Sequence, residues 1–298
     1  MQVSVLKAVA DCVHFCRFYD QGTDMKAHFI VMEMIGPSLD QLRAQLPGKS
    51  FTRSTALRVG MQVCFYLLVS VLKAVADCVH FCRFYDQGSD MKAHFIVMEM
   101  IGPSLDQLRA QLPGKSFTRS TALRVGMQCL HAIEELHEAG FISRDVKPGN
   151  FAIGLPGQQQ RLIRMIDFGT AKRSCLRIIY KSEKFYRQSK EDSTPAANRV
   201  PWLGTARYCS IANHLGKEQC RKDDVESWFY VCVEMLATTL PWSQLQRSER
   251  QAIAEIKVKV RSNHRRKFLH QCPKIFDSIL EAIDDWNDLD KPDYDGVS

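Results

Sequence analysis

Four side chains between residues 140 and 172 have the types and the spacing that phosphoryl chemistry requires. In GFISRDVKPGN the carboxylate of Asp145 is followed two residues later by the cation of Lys147 and five residues later by the amide of Asn150, and a second carboxylate, Asp167, opens DFGTAK. An amide and a carboxylate are hard oxygen ligands, the kind Mg²⁺ takes from protein while water and substrate phosphates fill its other positions. A further carboxylate can orient a hydroxyl and accept its proton, and a nearby ammonium can neutralise charge on a transferring phosphoryl group. Either acid alone reads as a solvated loop residue. D-x-K-P-x-N followed by D-F-G reads as a set.

The elements that must hold this set are visible on either side of it. Phe151 to Ile153 and Leu162 to Ile166 are short apolar runs joined by a Gly/Pro-containing turn at Gly154 to Gly157, so they predict a hairpin that brings Asp145, Asn150 and Asp167 to one end. Upstream, VSVLKAVADC predicts the end of a helix, His80 to Tyr85 and His94 to Met100 two strands, and Gly102-Pro103 a break. Ser104 is placed to cap a helix through Leu112, and Thr118 or Ser120 a longer one ending near Ala139-Gly140. The longer helix carries Leu130, Ile133, Leu136 and His137 on one face. Downstream, RKDDVESWFYVCVEML, the basic amphipathic stretch QAIAEIKVKVRSNHRRKF and IFDSILEAIDDWNDL all read as helices, with Arg261 to Lys267 forming either a solvated basic face or a docking patch.

The first half of the chain is a repeat. Residues 3–62 recur at 69–128 with one difference, Thr23 against Ser89. Two nearly identical sixty-residue units are not a solenoid array, whose units diverge and stack in larger numbers. The pattern fits a recent tandem duplication or a misjoined exon. Only the second copy continues into the stretch that holds Asp145.

Composition narrows the class. With 298 residues, 45% of them hydrophobic, the chain can bury one large core or two modest ones. A net charge of +7 favours acidic or phosphorylated partners and is too small by itself to argue for nucleic acid. Eleven cysteines without a C-x-x-C pair fit reduced thiols inside the cell better than a disulfide framework. The sets Cys12, His14, Cys16 and Cys78, His80, Cys82 read as core or as metal ligands. Lys7 and Asp11 spoil a secretory leader, and the apolar run Val63 to Leu72 is too short to span a bilayer. The expectation is an intracellular protein, cytoplasmic or nuclear, that engages neither membrane nor nucleic acid. Nothing in the pattern sets its oligomeric state.

SRDVKPGN and IDFGTAK resemble the catalytic and metal-binding loops of eukaryotic protein kinases. GTARYCSIANHL, which stands where most kinases carry Ala-Pro-Glu, resembles the casein kinase I group, as do the helix RKDDVESWFYVCVEMLATTLPW and the hinge-like VMEMIGPSLDQLR. VLKAV, HFCRF, FTRSTALRVGMQ, NFAIG and KPDY are most similar to the tau-tubulin kinase-like branch. The resemblance covers roughly residues 69 to 298. It implies an α+β, protein-kinase-like fold with a mostly α-helical large lobe at 104–298, a partial small lobe and hinge at 69–103, and an extra copy of that segment at 1–68.

The resemblance further implies a serine/threonine kinase that uses ATP and Mg²⁺ on an acidic or phosphorylated protein substrate. Asp145 would deprotonate the hydroxyl, Lys147 would steady the γ-phosphoryl, and Asn150 with Asp167 would hold the metal. Met98 would back the nucleotide pocket, with the backbone of Glu99 and Ile101 on adenine. Thr205 would bond near Asp145, Arg207 would meet an acidic substrate residue or serve an internal ion pair, and Asp224 would tie its helix to the catalytic-loop backbone. Arg173 to Pro201 would be the activation segment, with Ser182, Ser189, Ser193 and Thr194 as loop hydroxyls open to modification.

The chain also departs from the pattern. Ser143 stands in place of the usual histidine, the expected helix glutamate is Gln2 in the first copy and Leu68 in the second, and residues 43–68 contain no G-x-G-x-x-G. Lys49 and Lys73 are the available lysines. On this resemblance the chain is expected to be cut at both ends, and the alternative reading is a pseudokinase or interaction module built on the large lobe.

Overall fold

The computed structural model describes residues 18–23, 28–32, 65–89, 94–155, 157, 160–174, 202–288 and 290–298. The chain forms two compact units, Met1–Gln62 with Arg177–Gln188, and Val63–Leu176 with Ser189–Ser298. In the first, the described part is an antiparallel hairpin of β1 (Phe18–Thr23) and β2 (His28–Met32). Gln2, Lys49, the set Cys12, His14, Cys16, and the loop hydroxyls Ser182, Ser189, Ser193 and Thr194 lie outside the described residues.

The second unit begins with helical backbone at residues 65–74, α1, whose Val69, Val71 and Leu72 are buried. It continues into β3 (Phe84–Ser89) and β4 (His94–Met98), which pair antiparallel. Phe84 opposes Met98 and Asp86 opposes Val97, with an irregularity between them, just as Phe18 opposes Met32 and Asp20 opposes Val31 in the first copy. The same sequence thus makes the same hairpin twice, as expected where register is set by the strands and turn themselves.

Beyond the Gly102-Pro103 break, α2 (Leu105–Gln111) opens on a capping box: Ser104 Oγ accepts the Gln107 N–H and Gln107 Oε1 accepts the Ser104 N–H. The long α3 (Arg119–Glu138) opens on Thr118, whose Oγ1 accepts the Thr121 N–H at 3.2 Å. Such caps are worth about 1 kcal/mol each. Four short strands follow, β5 (Phe141–Ile142), β6 (Phe151–Ile153), β7 (Ile163–Met165) and β8 (Lys172–Arg173), pairing β5 with β8 and β6 with β7. Backbone bonds from Gly102 N to Ile153 O and from Met165 N to His80 O fasten the segment after β4 and the segment before β3 to this layer.

The remaining body is helical: α4 (Ile211–His214), α5 (Arg221–Ala237), α6 (Arg250–Arg261), α7 (Arg265–Phe268), α8 (Ile275–Asp285) and α9 (Tyr294–Val297). Residues 223–235 of α5 are buried on every side, so this helix is the central post. It crosses α3 closely at a glycine: Trp228 Nε1 donates to Gly126 O at 2.7 Å, and a Cβ at Gly126 would lie 2.9 Å from Cys232 Sγ.

Two expectations are corrected here. The basic stretch after Gln251 is two helices, because Ser262 leaves helical backbone space. Arg261 is not on a solvated face: its guanidinium is nearly buried and pairs with Glu226 and Asp284. Of the readings left open for Cys78, His80 and Cys82, the core one fits: His80 donates through its ring and backbone to Glu135, and no group of three or more His, Cys, Asp or Glu among the described residues is arranged for a metal. No helix among the described residues is long and apolar enough to cross a membrane.

The α3–α5 crossing gives a direct test. Gly126→Val should lower unfolding stability in urea by about 1–3 kcal/mol through overpacking, and Cys232→Ala in the same chain should recover part of that loss. Equal stability of Gly126→Val and wild type would contradict the close approach.

Candidate active site

The β6–β7 hairpin brings Asn150 and Asp167 to one end. Phe151 opposes Met165, and one step further out the Ile166 N–H donates to Asn150 O at 2.8 Å. Asn150 ends a single turn of 3-10 helix, Pro148–Asn150, while Asp167 follows Ile166, so both emerge at the same end of the pair. Asp167 is exposed and has φ +63°, a left-handed conformation rare for a residue with a Cβ, and its Oδ1 accepts the Gly169 N–H at 3.2 Å. Asn150 is buried and its Nδ2 donates to Asp145 O at 3.0 Å. The amide nitrogen is thereby committed, and the amide oxygen meets no donor among the described residues.

Asp145 sits where three elements converge. Its Oδ2 takes the Lys147 ammonium at 2.6 Å and its Oδ1 takes the Thr205 hydroxyl at 2.7 Å. Thr205 reaches it because Gly204, at φ +94°, lets the chain pass where a Cβ would lie 2.6 Å from Arg144 O. Both carboxylate oxygens of Asp145 are therefore aimed and paired, with Lys147 still partly exposed.

The loop that carries Asp145 is fixed from below by Asp224 of α5. Asp224 Oδ2 accepts the Ser143 N–H at 2.6 Å and Oδ1 the Arg144 N–H at 2.8 Å. His137, at the end of α3, donates to the same carboxylate from Nε2 at 2.9 Å, and its Nδ1 accepts the Tyr294 hydroxyl at 2.6 Å. A carboxylate only accepts, so these partners set the tautomer. Burial holds the His137 pKa below its ordinary value, with Asp224 opposing, so the ring is neutral near pH 7. The Ser143 carbonyl and the Arg144 guanidinium are tied in turn to Thr170.

Other sequence candidates are placed as follows. Met98 is 40% exposed on β4. The Glu99 N–H is committed to Arg83 O at 2.8 Å, while its carboxylate meets Arg164 at 2.6 Å, which lowers its pKa. Ile101 is half-buried beside Gly102. Leu68 packs against the core, and the Lys73 ammonium lies 5.8 Å from the Phe84 ring. Arg207 is engaged within the molecule: its guanidinium reaches Glu234 at 3.1 Å and Ser243 O at 2.9 Å.

Sequence reasoning missed Glu234 and Arg109. Glu234 is buried on α5 and takes Arg109, Arg207 and the Tyr208 hydroxyl, so it fixes two cations beside an open groove of about 410 Å³. That groove is bordered by Asp106, Arg109, Lys115, Lys147, Thr205 and Arg207. The available signal was an acid inside an otherwise apolar helix, which must be partnered if buried.

The family model for the protein kinase domain matches residues 68–285. The chain belongs to the protein kinase domain family. Its relatives include the serine/threonine-protein kinase spe-6 of Caenorhabditis elegans, 34% identical over 228 residues, which are 76% of this chain and 57% of that one. A probable serine/threonine-protein kinase of Dictyostelium discoideum is 35% identical over 229 residues, covering 76% and 43%. Casein kinase I homolog 1 of Saccharomyces cerevisiae is 35% identical over 215 residues, covering 71% and 38%. The chain thus spans about half or less of the length of these relatives. The α+β architecture, a helical body below short strands, is that of a kinase domain.

Two outcomes test the anchoring of this kinase domain's central loop. Asp224→Asn turns an N–H donor toward one of three donors, and should reduce unfolding stability in urea by about 3 kcal/mol or more. For His137, the unfolded chain takes a proton near pH 6.5 and the folded one only lower, so the unfolded state binds more protons between the two. Stability should therefore fall as pH drops through that window, and His137→Gln should show a shallower decline down to about pH 5.

Proposed function

We propose that this chain is a serine/threonine protein kinase of the casein kinase I group, in the tau-tubulin kinase-like branch, acting inside the cell on acidic or phosphorylated protein segments. The observation that carries the reading is the double engagement of Asp145, by Lys147 at 2.6 Å and Thr205 at 2.7 Å, on a loop pinned by Asp224. Such a carboxylate is held in one orientation from which it can accept a substrate hydroxyl's proton. The division we adopt is a small-lobe and hinge portion at 69–103, a large lobe at 104–298, and 1–68 as an additional copy.

The donor set fits the expected cofactors. The free oxygen of Asn150 and the exposed carboxylate of Asp167 are hard ligands at one end of a hairpin, few enough to leave a Mg²⁺ ion most of its positions for water and phosphate. Bound Mg²⁺ and ATP would supply the phosphoryl group and neutralise its oxygens. The protein's own part is positioning. Asp145 orients the acceptor hydroxyl and takes its proton, Lys147 stays near enough to steady the incoming charge, and Met98 with the backbone of Glu99 and Ile101 borders adenine. Around the groove beside Thr205, Arg109, Lys115, Lys147 and Arg207 exceed Asp106 and the partnering acids Glu234 and Asp145 by one charge, which favours an acidic or phosphorylated segment.

A rival reading, a binding module with little turnover, draws on Leu68 at the expected glutamate position and on Lys73 lying over Phe84. Phosphate incorporation into casein separates the two. Wild type should exceed Asp145→Asn by at least about a hundredfold, with Asp167→Asn losing metal-dependent transfer. Equal incorporation by wild type and Asp145→Asn would overturn the kinase reading.

A further inference from the structure

Lys257 on α6 is wholly buried, yet its donors meet no carboxylate among the described residues. They go to Ala206 O at 3.1 Å, Cys209 O at 2.5 Å and His214 Nε2 at 3.2 Å. The rings of Tyr230 and Trp242 close over it at 4.8 and 5.3 Å. Burying an ammonium on neutral acceptors is unfavourable by itself, and an apolar residue of similar length would fill the space with less penalty. What the ammonium adds is therefore found in the groups it holds.

Those groups belong to the segment that carries Thr205. Residues 205–209 form a single turn closed by bonds from the Tyr208 and Cys209 N–H groups to Thr205 O. Carbonyls of this turn, and of Leu203 just before it, are collected by side chains of the helical body: Leu203 O by Asn213, Arg207 O by Trp242 Nε1, and both Ala206 O and Cys209 O by Lys257. Lys257 is the one that spans the turn from its second residue to its last.

We propose that Lys257 is a positioning residue for phosphoryl transfer: it clamps the 205–209 turn to α6 and so keeps the Thr205 hydroxyl on the carboxylate of Asp145. The assignment rests on the kinase reading above. The groups that face the ammonium are Glu226 and Tyr230 from α5, Arg261 from its own helix, His214 from α4, and Cys209. Burial brings its pKa down to about 8, with Cys209 and Glu226 opposing and Arg261 adding to the fall. The unfolded lysine keeps its proton up to about 10.5, so between these values the unfolded chain binds more protons and stability rises with pH. Lys257→Met should lack that rise.

A double-mutant cycle with Thr205→Val tests the clamp. Lys257→Met alone should lower kcat/KM for a peptide substrate about tenfold or more with the KM for ATP unchanged, and in the Thr205→Val background the added loss should be under about threefold. Equal losses in both backgrounds would overturn the proposal. Lys257→Gln, which keeps two N–H donors, should fall between wild type and Met. Failure of both variants to fold would assign Lys257 to global stability and also overturn it. Should wild type itself transfer no phosphate, the kinase reading fails and amide exchange decides the clamp. The Tyr208 and Cys209 amides should then exchange about tenfold faster in Lys257→Met, relative to the amides of α5. Unchanged exchange would overturn it.

Discussion

The carboxylate of Asp224 is the constraint from which the site is built. It accepts two consecutive backbone N–H groups at the root of the loop that ends in Asp145, and a histidine from a second helix completes its set of donors. Arg144, the residue it grips, sits at φ +65°, a backbone state that persists only where its surroundings over-determine it. The negative charge below and the unusual backbone above support each other. Loosening either would let Asp145 swing away from Thr205.

Asp224 is one of several acids on α5, and together they explain why a helix buried on all sides is not purely apolar. Glu226 accepts the Ile211 N–H at 2.8 Å and pairs with Arg261, fastening the segment after the turn of Thr205 to α6. Glu234, three helical turns on from Asp224, takes Arg109 from α2 and Arg207 from the turn itself. Buried charges of this kind contribute little net stability compared with well-packed apolar side chains, because desolvation offsets most of the attraction. They contribute geometry. Each names a particular donor on a particular segment, so the central post fixes the loop of Asp145, the turn of Thr205 and the groove wall relative to one another.

What was legible in the sequence were the features set by neighbours within a few residues. Ser104 and Thr118 cap their helices because a hydroxyl beside a run of helix formers has orphan N–H groups within reach. The strands at 151–153 and 163–165 pair across the turn that their apolar runs implied. The partners of long side chains were not legible. Periodicity marked His137 as part of an apolar face, and it is buried, but nothing local signals that Asp224, 87 residues on, waits for its N–H. Arg261 looked solvated because its sequence neighbours are basic, whereas its own environment is made by Glu226 and Asp284 on other helices. Lys257 was hidden for the same reason.

The central claim is that Asn150 and Asp167 present their oxygens to one metal–nucleotide group beside Asp145. Paramagnetic broadening by Mn²⁺ in the presence of ATP, read on the backbone amide resonances, reports proximity without requiring turnover. The account predicts that the signals of Asn150, Asp167 and Gly169 broaden together, only when both nucleotide and metal are present, and that Asp167→Asn weakens the effect. Broadening that avoids these residues, or that falls on Asn150 without Asp167, would contradict it.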